Sequence, residues 1–319
     1  MTRRIIVDTD TGIDDAHALL YLAGHDDVEL TAVTAVYGNT PVDSAISNIA
    51  RVLELAGRPN VPVARGAAGP LVGEAHIAFY VHGHDGLGDI WDDRPAPANL
   101  VEQSAAQLIV ELVRANPGEL DLLFLGPLTN GALALQIEPD LFTLVRSVVV
   151  MGGSGPFPKL GDVLMVDANV QNDAEAARAV FSAPRTHLLQ VGVNVTAQAI
   201  VDEAATDRLR SSGTAWGEFS ARILDAYNEF YRFAWGRRLS PAHDTLAAAL
   251  LLHPEWITRS VTGPVTITGD GYVSRAHIAQ TWEGAPLAWQ THDAPPTVAV
   301  VEVDFAAFLA DFERVLTSR

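Results

Sequence analysis

The chain contains no cysteine, which excludes disulfides, thiolate nucleophiles and cysteine-ligated metals. Lysine is almost missing as well: Lys159 stands alone, and arginine carries nearly all the positive charge. The 21 basic residues face 39 acidic ones, a net charge of −18 that argues against nucleic acid or an anionic membrane as partner. No uncharged apolar run approaches the roughly eighteen residues that a spanning helix requires. The N-terminus passes from two arginines straight into an extended segment, without a long apolar region or cleavage site, so a cytoplasmic location is expected. Apolar residues are not scarce. At 48% hydrophobic and 19% charged, the 319 residues form a core and not a disordered chain. A neutral small molecule or a cation suits such a protein as ligand.

The densest chemistry lies in the first seventeen residues. Arg4 to Val7 reads as a short buried strand, and carboxylates follow at Asp8, Asp10, Asp14 and Asp15. Alternation along the strand sends Asp8 and Asp10 to one side. Gly12 permits a sharp turn, and Ile13 to Gly24 has helical periodicity, which puts Asp14 and Asp15 in its first turn. Four like charges at one strand-to-helix turn repel unless a cation sits among them. Oxygen donors of this kind suit Ca²⁺ or Mg²⁺.

Further along, Leu30 to Val36 is a second β-branched run, and Pro41 to Ala56 an amphipathic helix stopped by Gly57. The spacing predicts a helix over Asn99 to Asn116, with Asn99 and Glu102 as a capping box. Strands are expected at Asp121 to Leu125, Ser147 to Met151 and Thr186 to Val191, the first two running into glycine-containing junctions. Residues 202–235 read as helical, with an aromatic stripe assigned to the core, 264–303 as strands, and Asp304 to Leu316 as a terminal helix. The alternation indicates an α/β fold with an open, mostly parallel sheet, helices on both faces, and residues 1–319 as a single domain. In such sheets ligands bind beyond the carboxyl ends of the strands.

The segment DTDTGIDDAHAL resembles the signature DTDPGIDDAxA of the nucleoside hydrolases, the inosine–uridine-preferring family, with Thr11 where the family usually has proline. The resemblance continues in order through Gly38-Asn39, the segment Val81 to Gly88, Gly126-Pro127-Leu128-Thr129-Asn130, Val150-Met151-Gly152-Gly153 and Ala242-His243-Asp244-Thr245-Leu246-Ala247. It implies a homodimer or homotetramer that hydrolyses the N-glycosidic bond of ribonucleosides to ribose and free base. It also implies a Ca²⁺ ion bound by Asp10, Asp15, Asp244 and the backbone carbonyl of Leu125. By the same likeness Asp10 is the base that takes a proton from water held by the ion, and His243 the acid that protonates the leaving base. Asp14 and Asn169 are expected on the ribose 2′- and 3′-hydroxyls, Asn39 beside the sugar, His82 on the base side, and Met151 among the substrate contacts. His187 and His253 read as structural, and His25, His76, His277 and His292 as positions without function.

The match departs from the family's GNVTPxAEFN segment. Asp162 and Asp167 replace the asparagine and glutamate that reach the 5′-hydroxyl, and Ala168 replaces an aromatic residue. The 5′ end should be roomier and more acidic, and 5′-phosphates should be repelled. A ribohydrolase for a non-standard or 5′-modified N-riboside is therefore an alternative, as is a ribose- or nucleoside-binding protein without turnover. An aspartate pair at a strand end is also similar to the opening of haloacid-dehalogenase-type phosphatases. Their DxDxT has Gly12 at its last position here, and Lys159 is the sole candidate for their lysine.

Overall fold

The computed structural model describes residues 2–156, 159–160, 163–164, 166–268, 274–276, 281–282, 285–286 and 294–319. In chain order the first half comprises β1 (Arg3–Thr9), α1 (Ile13–Ala23), β2 (Val28–Ala35), α2 (Val42–Leu55), β3 (Val63–Arg65), α3 (Phe79–His82), β4 (Leu100–Ser104), α4 (Ala105–Ala115), β5 (Leu120–Phe124), α5 (Thr129–Ile137) and β6 (Ser147–Met151). The middle holds β7 (Lys159–Leu160), β8 (Val163–Leu164), α6 (Ala168–Asn172), α7 (Ala174–Ser182), β9 (Leu188–Val191), α8 (Val193–Thr196), β10 (Ile200–Asp202), α9 (Glu203–Arg210) and α10 (Ala215–Trp235). After β11 (Leu239–Pro241) and α11 (His243–Leu252) come β12 (Ile257–Gly263), β13 (Val265–Ile267), β14 (Ser274–Ala276), β15 (Thr281–Trp282), β16 (Ala285–Pro286), β17 (Thr297–Val303) and α12 (Phe305–Leu316).

Nine of these strands form one sheet in the order β12-β17-β9-β6-β5-β1-β2-β3-β4. Every pairing in it is parallel except β12 with β17. Residues alternate across the sheet as a doubly covered strand requires: Ile5 and Val7 enter one core, and Ile6 enters the other. Helices α1, α2, α10, α11 and α12 supply the first core, and α4, α5 and α7 the second. The expected α/β architecture is therefore borne out. Among the described residues no helix is long and apolar enough to cross a membrane.

The chain proceeds outward from β1 through β2, β3 and β4, then returns to β5 on β1's other flank. That reversal opens a crevice at the carboxyl ends of β1 and β5, the position where open parallel sheets bind ligands.

One expected helix start is corrected. Leu100 to Ser104 is an edge strand paired with β3, and α4 begins at Ala105, capped by Ser104 and Gln107 instead of Asn99 and Glu102. The Ser104 hydroxyl accepts from the Gln107 amide, and Gln107 Oε1 accepts from the Ser104 amide at 3.0 Å. Asn99 instead donates its side-chain amide to the Asn60 carbonyl. Two S/T/N-x-x-E/Q candidates lay five residues apart, and strand pairing with β3 selected the second.

At the sheet's opposite end Asp121 is fully buried and accepts from Arg3 Nε at 2.8 Å, Ser147 Oγ at 2.7 Å, and Arg146. Burial alone would raise its pKa, but the hydrogen bonds from Arg146, Arg3 and Ser147 outweigh it and hold the carboxyl below its ordinary value. A carboxyl lowered in the folded state stabilises the protein above its unfolded pKa, and that stability is lost as pH falls through the folded value. Asp121→Asn is expected to cost about 2 kcal/mol at pH 7 in urea unfolding. The difference from the parent should close as the pH drops below about 4.

Candidate active site

β1 and α1 are joined by the turn Asp10-Thr11-Gly12, and this turn places the carboxylates. Thr11 has φ +30°, a conformation that a β-branched residue rarely adopts and proline, locked near about −65°, does not reach. The turn is braced: the Thr11 amide donates to Thr9 Oγ1 at 3.0 Å, and Asn48 Nδ2 donates to the Thr11 carbonyl at 3.0 Å. Asp15 caps α1 from within, accepting from the Gly12 amide at 2.9 Å and from Thr9 Oγ1 at 2.5 Å.

Asn39, just beyond β2, binds the carboxylates together. Its amide donates to Asp10 Oδ2 at 2.6 Å, and its Nδ2 reaches Asp10 Oδ1 at 3.2 Å and Asp15 Oδ2 at 2.9 Å. Gly38 before it has φ +151°, and a Cβ there would be driven into the Asp10 carboxylate. From the far end of the chain α11 brings Asp244 in its first turn. Donor oxygens of Asp14, Asp15 and Asp244, all buried, lie within 4.8 Å of one another.

Burial raises the pKa of Asp10, Asp14 and Asp244 well above the ordinary carboxylate value, and the charge of Asp15 adds to the rise in each. Asp244 also feels Asp14 and Asp10. Asp14 Oδ1 is buried without a hydrogen-bond partner among the described residues, and no lysine or arginine lines the cavity there. Buried oxygen donors short of positive charge fit a hard divalent cation. Asp8 stands apart from this group. It accepts from Thr34 Oγ1 at 2.5 Å and Asn130 Nδ2 at 2.8 Å, and burial pushes it up to about 7 against those bonds.

Above the carboxylates lies a cavity of about 230 Å³. Asp14, Asn39, His82, Leu125, Met151, Asp167, Asn169, His243 and Asp244 line it, so the sequence-predicted residues converge on one space, with Asp10 and Asp15 directly behind. Asp162 lies outside the described residues. Asn169 Nδ2 donates to the Leu125 carbonyl at 2.7 Å and the Met151 carbonyl at 3.1 Å, tying the ends of β5 and β6 together. Asp167 uses Oδ2 to accept from the Gly153 and Val170 amides, both at 2.7 Å, and so caps α6. Ala168, exposed beside it, leaves that rim without an aromatic ring.

Two histidines face the cavity as neutral rings. His82 Nδ1 accepts the Ile13 amide at the start of α1, and burial, then the proximity of His243, pushes its pKa down to about 3. His243 is pushed down to about 4 by burial. Its Nδ1 lies 2.6 Å from Thr196 Oγ1, and its Nε2 3.3 Å from the Tyr231 hydroxyl. His17, buried against Phe312, and His84, packed on Phe79, do not line the cavity.

Sequence reasoning missed the wall formed by α10. Tyr227, Phe230, Tyr231 and Trp235 line the cavity, although their stripe was assigned to the core. Trp216 and Tyr227 are indeed buried, but Trp235 is 47% exposed and Phe233 89%. The i, i+4, i+8 spacing of Tyr227, Tyr231 and Trp235, continuing to a solvent-exposed helix end, was the available signal. Thr196 carried none, since its partner His243 is 47 residues away.

A family model described as inosine-uridine preferring nucleoside hydrolase matches residues 5–310. A probable uridine nucleosidase 2 of Oryza sativa subsp. japonica is 37% identical over 257 residues, covering 80% of this chain and 75% of that protein. The inosine-uridine preferring nucleoside hydrolase of Leishmania major is 35% identical over 262 residues, covering 81% of each. Among solved structures, a plant nucleoside hydrolase superposes with a TM-score of 0.90 at 29% identity, covering 100% of both chains. An inosine-guanosine nucleoside hydrolase gives 0.85 at 27% identity, covering 98% of both.

The close approach at Gly38 can be tested directly. Gly38→Ala combines a positive φ with a clash on Asp10, and is expected to lower stability by about 1–3 kcal/mol in thermal or denaturant unfolding. An unchanged midpoint would show that the Gly38–Asp10 packing is not as described.

Proposed function

The chain belongs to the inosine-uridine preferring nucleoside hydrolase family, and from that membership we propose that it cleaves the N-glycosidic bond of ribonucleosides with Ca²⁺ as cofactor. Ribose and free base are the products. The observation that carries this reading is the convergence of Asp10, Asp14, Asp15 and Asp244 beneath a cavity walled by His243, His82 and aromatic rings.

As the base departs, positive charge spreads over the ribose C1′ and ring oxygen, and fixed carboxylates below it stabilise that charge more in the transition state than in the ground state. Asp10, Asp15, Asp244 and the Leu125 carbonyl would hold the ion, which supplies a Lewis acid for the attacking water and the ribose diol. Asp10 takes the water's proton. Asn39 fixes both Asp10 oxygens in orientation. Asp14, whose Oδ1 has no hydrogen-bond partner among the described residues, and Asn169 take the 2′- and 3′-hydroxyls. Asn39 borders the sugar as well.

On the opposite side, His243 serves the leaving base. A Thr196 hydroxyl donating to Nδ1 leaves the proton on Nε2, directed at the cavity beside the Tyr231 hydroxyl. There Nε2–H donates a hydrogen bond to the departing nitrogen as negative charge develops on it, and the base takes its proton from the imidazolium form, which returns to the neutral ring. His82 packs against Tyr227 at a tilt and borders the same base pocket. A second reading has one observation in its favour: exposed Ala168 leaves the rim open, which suits an N-riboside bulkier at its 5′ end.

Ribose release should be measured on uridine, inosine, cytidine and adenosine, with Ca²⁺ and after chelation. Metal-dependent release that drops about 10²- to 10⁴-fold in Asp10→Asn supports the assignment. Release that survives this substitution removes Asp10 as base. Silence on every common nucleoside with Ca²⁺ bound leaves the 5′-modified riboside or a non-catalytic binder, and a 5′-substituted panel separates them. For an active substrate the 2′-deoxy analogue should be at least about 10³-fold poorer in kcat/KM, because its loss leaves buried polar groups unpaired.

A further inference from the structure

Helices α1 and α11 both begin at the carboxylate cluster, with Asp14 and Asp15 on one and His243 and Asp244 on the other. They pack side by side, and their opposite ends, ~15 Å away at helical rise, deliver two more histidines. His25 follows the C-cap of α1, and His253 is the C-cap of α11. Asp311 of α12 meets them there, with one ring nitrogen of each histidine and a carboxylate oxygen within 4.8 Å of one another.

The protons on these rings are already placed. His25 Nδ1 lies 2.8 Å from the Tyr21 carbonyl, and His253 Nδ1 lies 3.0 Å from Glu255 Oε1. A carbonyl and a carboxylate only accept, so each ring carries a proton on Nδ1, and Nε2 is the nitrogen left to face the group. Both Nε2 atoms are buried and have no hydrogen-bond partner among the described residues. His25 Nε2 is 3.3 Å from Asp311 Oδ2, with no hydrogen bond formed between a neutral ring and the carboxylate. That contact is repulsive unless a positive charge lies between the two atoms.

The surroundings favour a cation. Two helix C-termini point their partial negative charge at the spot. The Tyr21 hydroxyl donates to Asp311 Oδ2 at 2.7 Å, and Arg314 holds the other oxygen, Oδ1, at 2.7 Å, so the carboxylate is fixed with Oδ2 toward the histidines. Imidazoles whose second nitrogen donates to a carbonyl or carboxylate are the usual form of metal-ligating histidine. A spacing of 3.3 Å also matches the ~3.3 Å edge of a tetrahedron with bonds of about 2.0 Å.

We infer that His25, His253 and Asp311 form a second metal site, taking Zn²⁺ or a similar nitrogen-preferring divalent ion, that fastens the C-terminal ends of α1 and α11 to α12. Two imidazoles and one carboxylate select against Ca²⁺, so the site is chemically distinct from the all-oxygen cluster at the helices' other ends. Water completes its coordination. The role is structural, and the site does not depend on what the cavity hydrolyses.

The test titrates Zn²⁺ alone into the full chain in saturating Ca²⁺, reading bound metal by dialysis and the thermal midpoint. One equivalent of Zn²⁺ and a rise of a few degrees in Tm are expected, both retained in Asp244→Asn, which alters only the acidic cluster. His25→Gln and His253→Gln should each weaken Zn²⁺ binding about 10- to 100-fold and abolish the shift. Their zinc-free Tm and ribose release should match the parent, which shows that they fold. Co²⁺ should give visible absorption of tetrahedral intensity in the parent and lose it in both histidine variants. Zn²⁺ binding of equal strength in parent and His253→Gln overturns the proposal. So does a parent that binds no Zn²⁺ at micromolar concentration, which would leave a proton as the charge between His25 and Asp311.

Discussion

Like charge packed into an apolar interior is the constraint on which this structure turns. Asp10, Asp14, Asp15 and Asp244 are buried together, and among the described residues no lysine or arginine lines the space they face. An isolated buried carboxylate either takes up a proton or collects donors and cations around it. The fold supplies donors with economy: Asn39 serves Asp10 and Asp15 at once, and the start of α1 turns its dipole and the Gly12 amide toward Asp15. Those donors fall short of full compensation, since burial still leaves the Asp10, Asp14 and Asp244 carboxyls raised. The deficit is what makes the cluster receptive to a divalent ion.

Sheet topology explains why such a cluster forms here and not elsewhere along β1. The reversal of strand order between β1 and β5 opens a crevice at their carboxyl ends, and the Asp10 turn, Leu125 and the ends of α1 and α11 border this common space. Asn130 reinforces the seam from below, donating to Asp8 and to the Ala35 carbonyl and accepting from the Ala67 amide. Asp8 therefore shares the acidic run with Asp10 but serves the junction of β1, β2 and α5. Strand alternation alone would put Asp8 and Asp10 on one face, but β1 ends at Thr9 and the turn at Asp10 redirects the chain, so the two carboxylates have separate tasks.

Local signals made much of this legible. The β-branched run before Asp8, the glycines at positions 12, 38 and 126, and the spacing of Asp14 and Asp15 each specify backbone or side-chain direction within a few residues. They located the crevice and most of its lining. Features resting on distant partners were not legible. The edge strand Leu100–Ser104 exists because β3 is beside it, so a plausible cap at Asn99 lost to one at Ser104. Tyr231 and Thr196 become partners of His243 only when α8, α10 and α11 are packed together. His25, His253 and Asp311 are separated by 228 and 58 residues in sequence, and no local pattern marks them as a group.

The same helix pair thus has opposite chemistry at its two ends, and the helix dipole accounts for the division. Carboxylates gather at the N-termini of α1 and α11, where backbone amides stabilise negative charge, and imidazoles gather at the C-termini, where the Tyr21 carbonyl and the Glu255 carboxylate face their Nδ1 atoms. Oxygen donors at one end prefer hard ions, and nitrogen donors at the other prefer borderline ones. A fold holding the two clusters ~15 Å apart on rigid helices keeps their ligand preferences from mixing, since neither set can reach across to complete the other. Tyr21 and Asp311 then connect the distal end to α12, so the terminal helix is anchored to the same rods that position the buried carboxylates Asp14, Asp15 and Asp244.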